Sequence, residues 1–382
     1  MTVVQTRNQN MPWLAAILAA ADASALRDTL AARHPAFVAP RRLAIVGGAD
    51  EGKRLAALCR ANGIEIAALA DDNPAFAGHE ISGVRVTKFA DLAALDRDTP
   101  IVIASHRTLK ATLRLRDMGF RDVAPFVLLQ MLAPAKFPPH AFHNGWLDDL
   151  AANRERYAAL AARLADDFSR QVLDAAIGYR LTCDAAVLEP IVEWDLYGPA
   201  NLLTYGEHEV YIDGGSFDGD SIRLFIDRVG GRFDRVLAFE PDPATFERLT
   251  ANFRTEPRVE PINKGLYGRT TTLRFDDAGT RASGLVAGET GIAVPVTSID
   301  EVLGNDPVTY IKMNIEGAEQ EALKGARRAL ARCHPKLAIS AYHRAADLWQ
   351  IPELVSELDP RARLYFRQHD GGVIETVLYA LP

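Results

Sequence analysis

The stretch Val210-Tyr211-Ile212-Asp213-Gly214-Gly215-Ser216-Phe217-Asp218-Gly219 decides how this chain is read. Three apolar residues suited to a buried strand end in an acid, and glycines follow at once. A second apolar run, Val236-Leu237-Ala238-Phe239, closes on Glu240. Together they outline a nucleoside crevice at the carboxyl edge of a parallel sheet. Glycine lets the backbone approach a ligand closely, and the first strand-to-helix turn lies at that edge. A carboxylate closing the second strand can accept hydrogen bonds from both ribose hydroxyls.

The order of the residues narrows the ligand. A pyrophosphate prefers unopposed backbone N–H groups at a helix start, whereas here an acid precedes the glycines. The pattern therefore suits a cationic ligand without phosphates, such as S-adenosylmethionine, and a nicotinamide-dependent oxidoreductase fits less well. On this reading Asp213, Gly214, Gly215, Ser216, Phe217, Asp218 and Gly219 form the turn around the methionine end, and Glu240 grips the ribose. Asn263, just after a third strand, is placed near the adenine or, equally, as a loop cap.

Working outward, strands are expected near 209–213, 235–240, 258–262, 307–313 and 336–342, with a final pair near 361–367 and 373–380. His369-Asp370-Gly371-Gly372 separates that pair as a turn. Upstream, Leu43-Ala44-Ile45-Val46, Ile66-Ala67-Ala68-Leu69-Ala70 and Ile101-Val102-Ile103-Ala104 alternate with helical segments, which implies parallel strands with crossover helices. The fold class expected is α/β with two Rossmann-like domains, the carboxyl-terminal one a seven-stranded sheet with an antiparallel last strand. The boundaries read as a helix and linker over 1–40, a Rossmann-like domain over 41–132, a helical connector over 133–205 and the second domain over 206–382.

Bulk properties exclude several classes. With 382 residues the chain can build two compact domains. A formal charge of −7 argues against a dedicated nucleic-acid binder. Cys59, Cys183 and Cys333 lack metal-type spacing and suit a reducing cytoplasm. No apolar run reaches the roughly 18–20 residues of a membrane span. Trp13 to Ala21 imitates a signal sequence, but Leu26 and Leu30 continue its helical spacing past any cleavage site.

Tyr211 to Asp220, Ile311-Lys312-Met313-Asn314-Ile315-Glu316-Gly317-Ala318-Glu319 and Leu323-Lys324-Gly325 together resemble the FkbM family of S-adenosylmethionine-dependent methyltransferases. Ile339 to His343, Asp347 to Pro352, Glu375 to Ala380 and Gly178 to Leu181 extend the resemblance in order. It implies O-methylation of a hydroxyl, typically on a sugar. Members usually carry Asp where this chain has Asn314, which lacks the charge of a base or strong metal ligand. Separately, Val46 to Gly52, Leu69 to Pro74 and Gly83 to Val86 resemble a PglD-type Rossmann domain. That likeness implies a nucleotide-linked sugar held by Gly47 and Asp71, the alternatives being NAD or a scaffold without a ligand.

Methyl transfer to a hydroxyl needs alignment of the acceptor oxygen and removal of its proton. His343, at the end of the fifth strand, has the right basicity when neutral, and Glu316 competes with it, its alternative being to cap a helix. Lys312 lies on the strand face of Asn314, to hold it, to touch the acceptor or to fill a buried structural place. Asp276 to Thr297 is assigned to the acceptor wall, with Ser283 and Gly284 as contacts, and no metal is expected. The sequence thus reads as an O-methyltransferase acting on a saccharide or sugar-bearing metabolite. The alternatives are a cofactor-binding regulatory protein without catalysis, or a nucleotide-sugar binder with weak transferase activity.

Overall fold

A computed structural model describes residues 11–139, 141–275 and 292–382, so Ser283 and Gly284 lie outside the described residues. The chain divides into two compact units: Met1–Ala159 with Gln171–Val192 and Asp370–Ile374, and Leu160–Arg170 with Glu193–His369 and Glu375–Pro382.

The first unit is built on strands β1 (Arg42–Val46), β2 (Glu65–Ala70), β3 (Glu80–Ile81), β4 (Val84–Thr87), β5 (Ile101–Ile103) and β6 (Val123–Pro125), in the spatial order β3-β4-β2-β1-β5-β6. All pairs are parallel except β3 with β4. β1 reads as an unbroken apolar run because it lies centrally, covered on both faces, as parallel strands must be. Ala44, Val46, Ile101, Ile103, Phe89 and Leu115 share one core cluster.

The second unit carries β7 (Val210–Gly214), β8 (Arg235–Phe239), β9 (Val259–Ile262), β10 (Gly265–Leu266), β11 (Thr271–Phe275), β12 (Ile292–Thr297), β13 (Tyr310–Met313), β14 (Lys336–Ser340), β15 (Arg363–Gln368) and β16 (Thr376–Leu381). Seven of them form one sheet in the order β15-β16-β14-β13-β7-β8-β9. The last strand, β16, runs antiparallel to both β14 and β15, and the remaining pairs are parallel. The expected fold class is the one observed. β10, β11 and β12 make a separate three-stranded sheet. β12 occupies the end of the segment expected only as an acceptor wall. Its first residues are largely exposed and Pro295 interrupts it, so its sequence lacks a buried strand's signature.

Packing fixes the frame beneath the crevice. Tyr211 and Tyr310 are register partners on β7 and β13, and their rings stack with centroids 4.7 Å apart. Phe225, from the helix Asp220–Arg228, closes on Tyr211 with centroids 4.7 Å apart. The next helix starts by simple rules: Asp242 caps it by accepting from Thr245 N at 2.8 Å, and Pro243 occupies its first turn.

Candidate active site

The turn after β7 is held by backbone geometry first. Gly215 and Ser216 donate their N–H groups to Phe239 O at 3.1 and 3.0 Å, which folds the turn onto the end of β8. At Gly215 the backbone has φ +75°, and a Cβ there would lie 2.0 Å from Asn314 O. At Gly219, φ is +89° and a Cβ would meet the Phe253 ring at 2.1 Å. No L side chain fits either place without moving its neighbours. Gly214 packs similarly, 2.8 Å (Cβ position) from Leu266. Ser216 is buried and its hydroxyl donates to Asp213 O at 2.9 Å. Phe217, also left-handed at φ 51°, is 41% exposed and is the turn's outward face. Asp218 pairs with Arg223 at 2.8 Å, on the helix that the turn leads into.

Asp213 is wholly buried, its Oδ1 accepts from Lys312 Nζ at 2.8 Å, and its Oδ2 accepts from the Ser221 hydroxyl. The same Lys312 ammonium donates to Gly214 O at 3.2 Å and Gly215 O at 2.9 Å. Asp213 and Lys312 are register partners on adjacent strands, so the pair sits directly under the turn. The Asp213 charge, expected to face a cationic donor, is matched here by Lys312. Of the roles open to Lys312, these contacts fit the buried structural one, with its ammonium bracing the turn.

Glu240 ends β8 against this turn. Its Oε2 accepts from Phe217 N at 3.0 Å and its Oε1 from Asp242 N at 2.9 Å. Burial raises its pKa, with those two backbone donors acting against the rise. Each oxygen keeps a further lone pair. Asn263 donates from Nδ2 to Glu240 O at 2.9 Å and Pro241 O at 3.2 Å. Of its two expected roles, the structure gives the loop cap.

Beyond the ends of β13 and β14 lies a second cluster. Asn314 donates from Nδ2 to Tyr197 OH at 2.8 Å and accepts on Oδ1 from Tyr342 OH at 3.4 Å. Its amide is used in both senses, which makes it an orienting residue. Glu316 and Gly317 follow in the left-handed region, at φ 57° and 94°. Their tight turn precedes the helix Glu319–Lys324, and Glu319, its first residue, accepts on Oε1 from Ile315 N at 2.8 Å, back across that turn. The Glu316 side chain is 45% exposed, with Oε2 at 3.8 Å from His343 Nε2.

His343 is buried, and its Nδ1 lies 3.0 Å from Glu319 Oε1. Burial alone would depress its pKa, but the Glu319 carboxylate, helped by Glu316 and Asp347, pushes it up to about 9. That rise favours the imidazolium form at neutral pH and weighs against the expected neutral histidine base. Glu319 is correspondingly held below its ordinary range despite its burial. Burial, then Glu319, lifts Asp347 to about 6. The ligand-type atoms of Glu319, His343 and Asp347 all lie within 4.8 Å of one another, a set of the kind that can hold a cation.

Residues 213–370 match the family model described as the methyltransferase FkbM domain. Those residues therefore carry an FkbM methyltransferase domain. Hexuronic acid methyltransferase AglP of Haloferax volcanii is 33% identical over 128 residues, covering 32% of this chain and 53% of that protein. The chain thus spans about half the length of this curated relative. The crystal structure of methyltransferase FkbM from Methylobacillus flagellatus KT matches with a TM-score of 0.75 at 26% identity, over 99% of this chain and 100% of that one.

Within the second unit, Tyr197, Ser221, Glu319 and Arg344 escaped the sequence reading as site residues. Tyr197 arrives from a loop more than a hundred residues from Asn314 and carries no local signal, whereas Glu319 stood inside a quoted motif. In the first unit, Gly47 adopts φ +111°. Asp71 accepts from Gly48 N at 2.6 Å on Oδ2 and from Asn73 N at 2.8 Å on Oδ1. The two residues singled out there, Gly47 and Asp71, stand at one turn.

Proposed function

We propose that the FkbM domain transfers a methyl group from S-adenosylmethionine to a hydroxyl of a saccharide or sugar-bearing metabolite. The observation that carries this reading is the Glu240 carboxylate at the tip of β8, bonded at 3.0 Å to the turn that Gly215 and Gly219 form after β7. Its spare lone pairs suit two ribose hydroxyls, and the missing Cβ of Gly215 keeps the turn low enough for a ligand to lie along it. The donor, when bound there, supplies an electrophilic methyl on a sulfonium. The sugar class is supported by the curated relative, which acts on a hexuronic acid.

The chain's own residues have two further tasks in this reading. Glu316, exposed at the end of β13, takes the acceptor proton. The His343 imidazolium holds that carboxylate from below at 3.8 Å. In the first unit, the turn at Gly47 and the carboxylate of Asp71 form the place for a nucleotide-linked sugar. Among the described residues no helix is long and apolar enough to cross a membrane.

Incubation with methyl-labelled S-adenosylmethionine and a panel of glycans tests the activity, with label in the glycan the expected result. Donor binding without transfer to any glycan would favour a regulatory protein instead. Glu240→Ala is expected to weaken donor affinity at least tenfold by calorimetry, as for loss of charge-assisted hydrogen bonds worth about 1.5–3 kcal/mol. Unchanged affinity in a folded variant removes the ribose role.

A further inference from the structure

The residue after His343 is an arginine whose charge the fold leaves unspent. Arg344 is exposed and makes no ion pair among the described residues. Its backbone is fixed on both sides: Arg344 N donates to Asp347 Oδ2 at 2.8 Å, and Asp347 N donates back to Arg344 O at 3.2 Å. Its guanidinium stem lies across Gly317, where a Cβ would stand 3.3 Å from Arg344 Nε and 3.7 Å from Nη2. The glycine is needed there twice, for φ +94° and for room under the arginine. The guanidinium therefore sits directly over the turn that presents Glu316.

We propose that Arg344 is a specificity-determining residue that binds a carboxylate on the acceptor, so that the substrate is an acidic sugar of the uronic class. This rests on the methyl-transfer reading above. An exposed guanidinium pairs bidentately with a carboxylate, and a backbone already fixed reduces the entropy lost on binding. The carboxylate then sits above Gly317, and a ring hydroxyl of the same sugar lies beside Glu316. A neutral hexose offers that fork nothing. Glu316, acidic and exposed, would repel a carboxylate placed at its own position, so the anion is confined to the arginine side.

The test uses the full chain, S-adenosylmethionine and three acceptors alike except at C6: a methyl glucuronide, its methyl ester and a methyl glucoside. Ligand-observed NMR measures their binding separately from turnover. The expected result is a preference for the free acid of about tenfold or more in kcat/KM, lost in Arg344→Gln and partly kept in Arg344→Lys, as for loss of one bidentate charge-assisted contact. Donor affinity by calorimetry reports that each variant is folded. Turnover without preference for the acid, or a preference that survives Arg344→Gln, overturns the inference and leaves the methyl-transfer reading intact. Glucuronide binding that depends on Arg344 but gives no labelled product upholds the inference and overturns that reading. Absence of both binding and turnover of the glucuronide overturns the inference.

Discussion

The two units solve the same local problem with different underpinnings. In each, a glycine turn leaves the first long parallel strand, and an acid at the end of the next strand accepts from an N–H of that turn. The offset is the same: Gly48 to Asp71 and Phe217 to Glu240 are both 23 residues apart. What differs lies beneath. Under the Gly215 turn a buried ammonium, Lys312, is shared between Asp213 and two turn carbonyls. In the first unit β1 ends in Val46, where Gly47 N donates to Ala70 O at 2.9 Å and Ala104 N donates to Val46 O at 2.7 Å, with the Phe76 side chain against Gly48. The shared part is the geometry of a parallel strand end, and the charged brace is an addition of the FkbM domain. A turn that must hold one shape while a ligand exchanges against it gains from such a brace, since burying the pair fixes the positions of both partners.

The largest test of that difference removes the brace. Lys312→Met leaves Asp213 buried and uncompensated, and is expected to cost about 3–5 kcal/mol in urea denaturation. Replacing both partners, Lys312→Met with Asp213→Leu, should recover most of the loss, because a buried pair exchanged for apolar groups is often near neutral. If the double variant stays as unstable as the single one, the ammonium's bonds to Gly214 O and Gly215 O matter more than its charge pairing.

A smaller effect separates the two turns themselves. Gly215→Ala must fit a Cβ 2.0 Å from Asn314 O at φ +75°, whereas Gly47→Ala meets Ala104 O at 2.8 Å at φ +111°. Both are strained, by about 1–3 kcal/mol from the backbone alone. The Gly215 variant should melt lower and lose donor affinity, while the Gly47 variant should keep donor affinity. Equal loss of donor affinity in the two would break the assignment of separate roles.

Asp71→Ala sharpens the comparison further. It removes two backbone contacts worth about 1 kcal/mol each and should lower stability modestly. Donor affinity should hold steady, against the tenfold weakening expected for Glu240→Ala. A drop in donor binding with Asp71→Ala would mean that the first turn serves the same ligand.

These contrasts explain what the sequence could and could not reveal. The strand ends and both turns were legible because buried parallel strands read as apolar runs that stop at an acid or a glycine. Glu240 was legible for the same reason. The role of Asp213 was not, since its partner Lys312 is 99 residues away and only the register of β7 with β13 sets them side by side. His343 was found as a residue, but the carboxylate that shifts its titration was not, because Glu319 reaches it from the helix that follows β13. The side sheet of β10, β11 and β12 stayed hidden because partly exposed strands have no continuous apolar run.

The mildest test concerns charge in the cluster beyond β13 and β14. The folded pKa of His343, about 9, lies above its ordinary value near 6.5. Its contribution to stability is complete below pH 6.5 and is lost as pH rises through about 9. The slope there approaches one proton, about 1.4 kcal/mol per pH unit. Asp347, raised to about 6, acts only in the acid range, where its stability loss on raising pH is over before the His343 window opens. The half-buried His34 of the first unit is lowered, chiefly by burial, and adds nothing to that alkaline slope. Denaturation between pH 7 and 9 at fixed ionic strength should therefore show a decline that His343→Gln flattens. Glu319→Gln should flatten it too, since the Glu319 carboxylate outweighs burial in holding the proton. A slope that persists in His343→Gln would assign it to another group and return a neutral His343 to candidacy as the base.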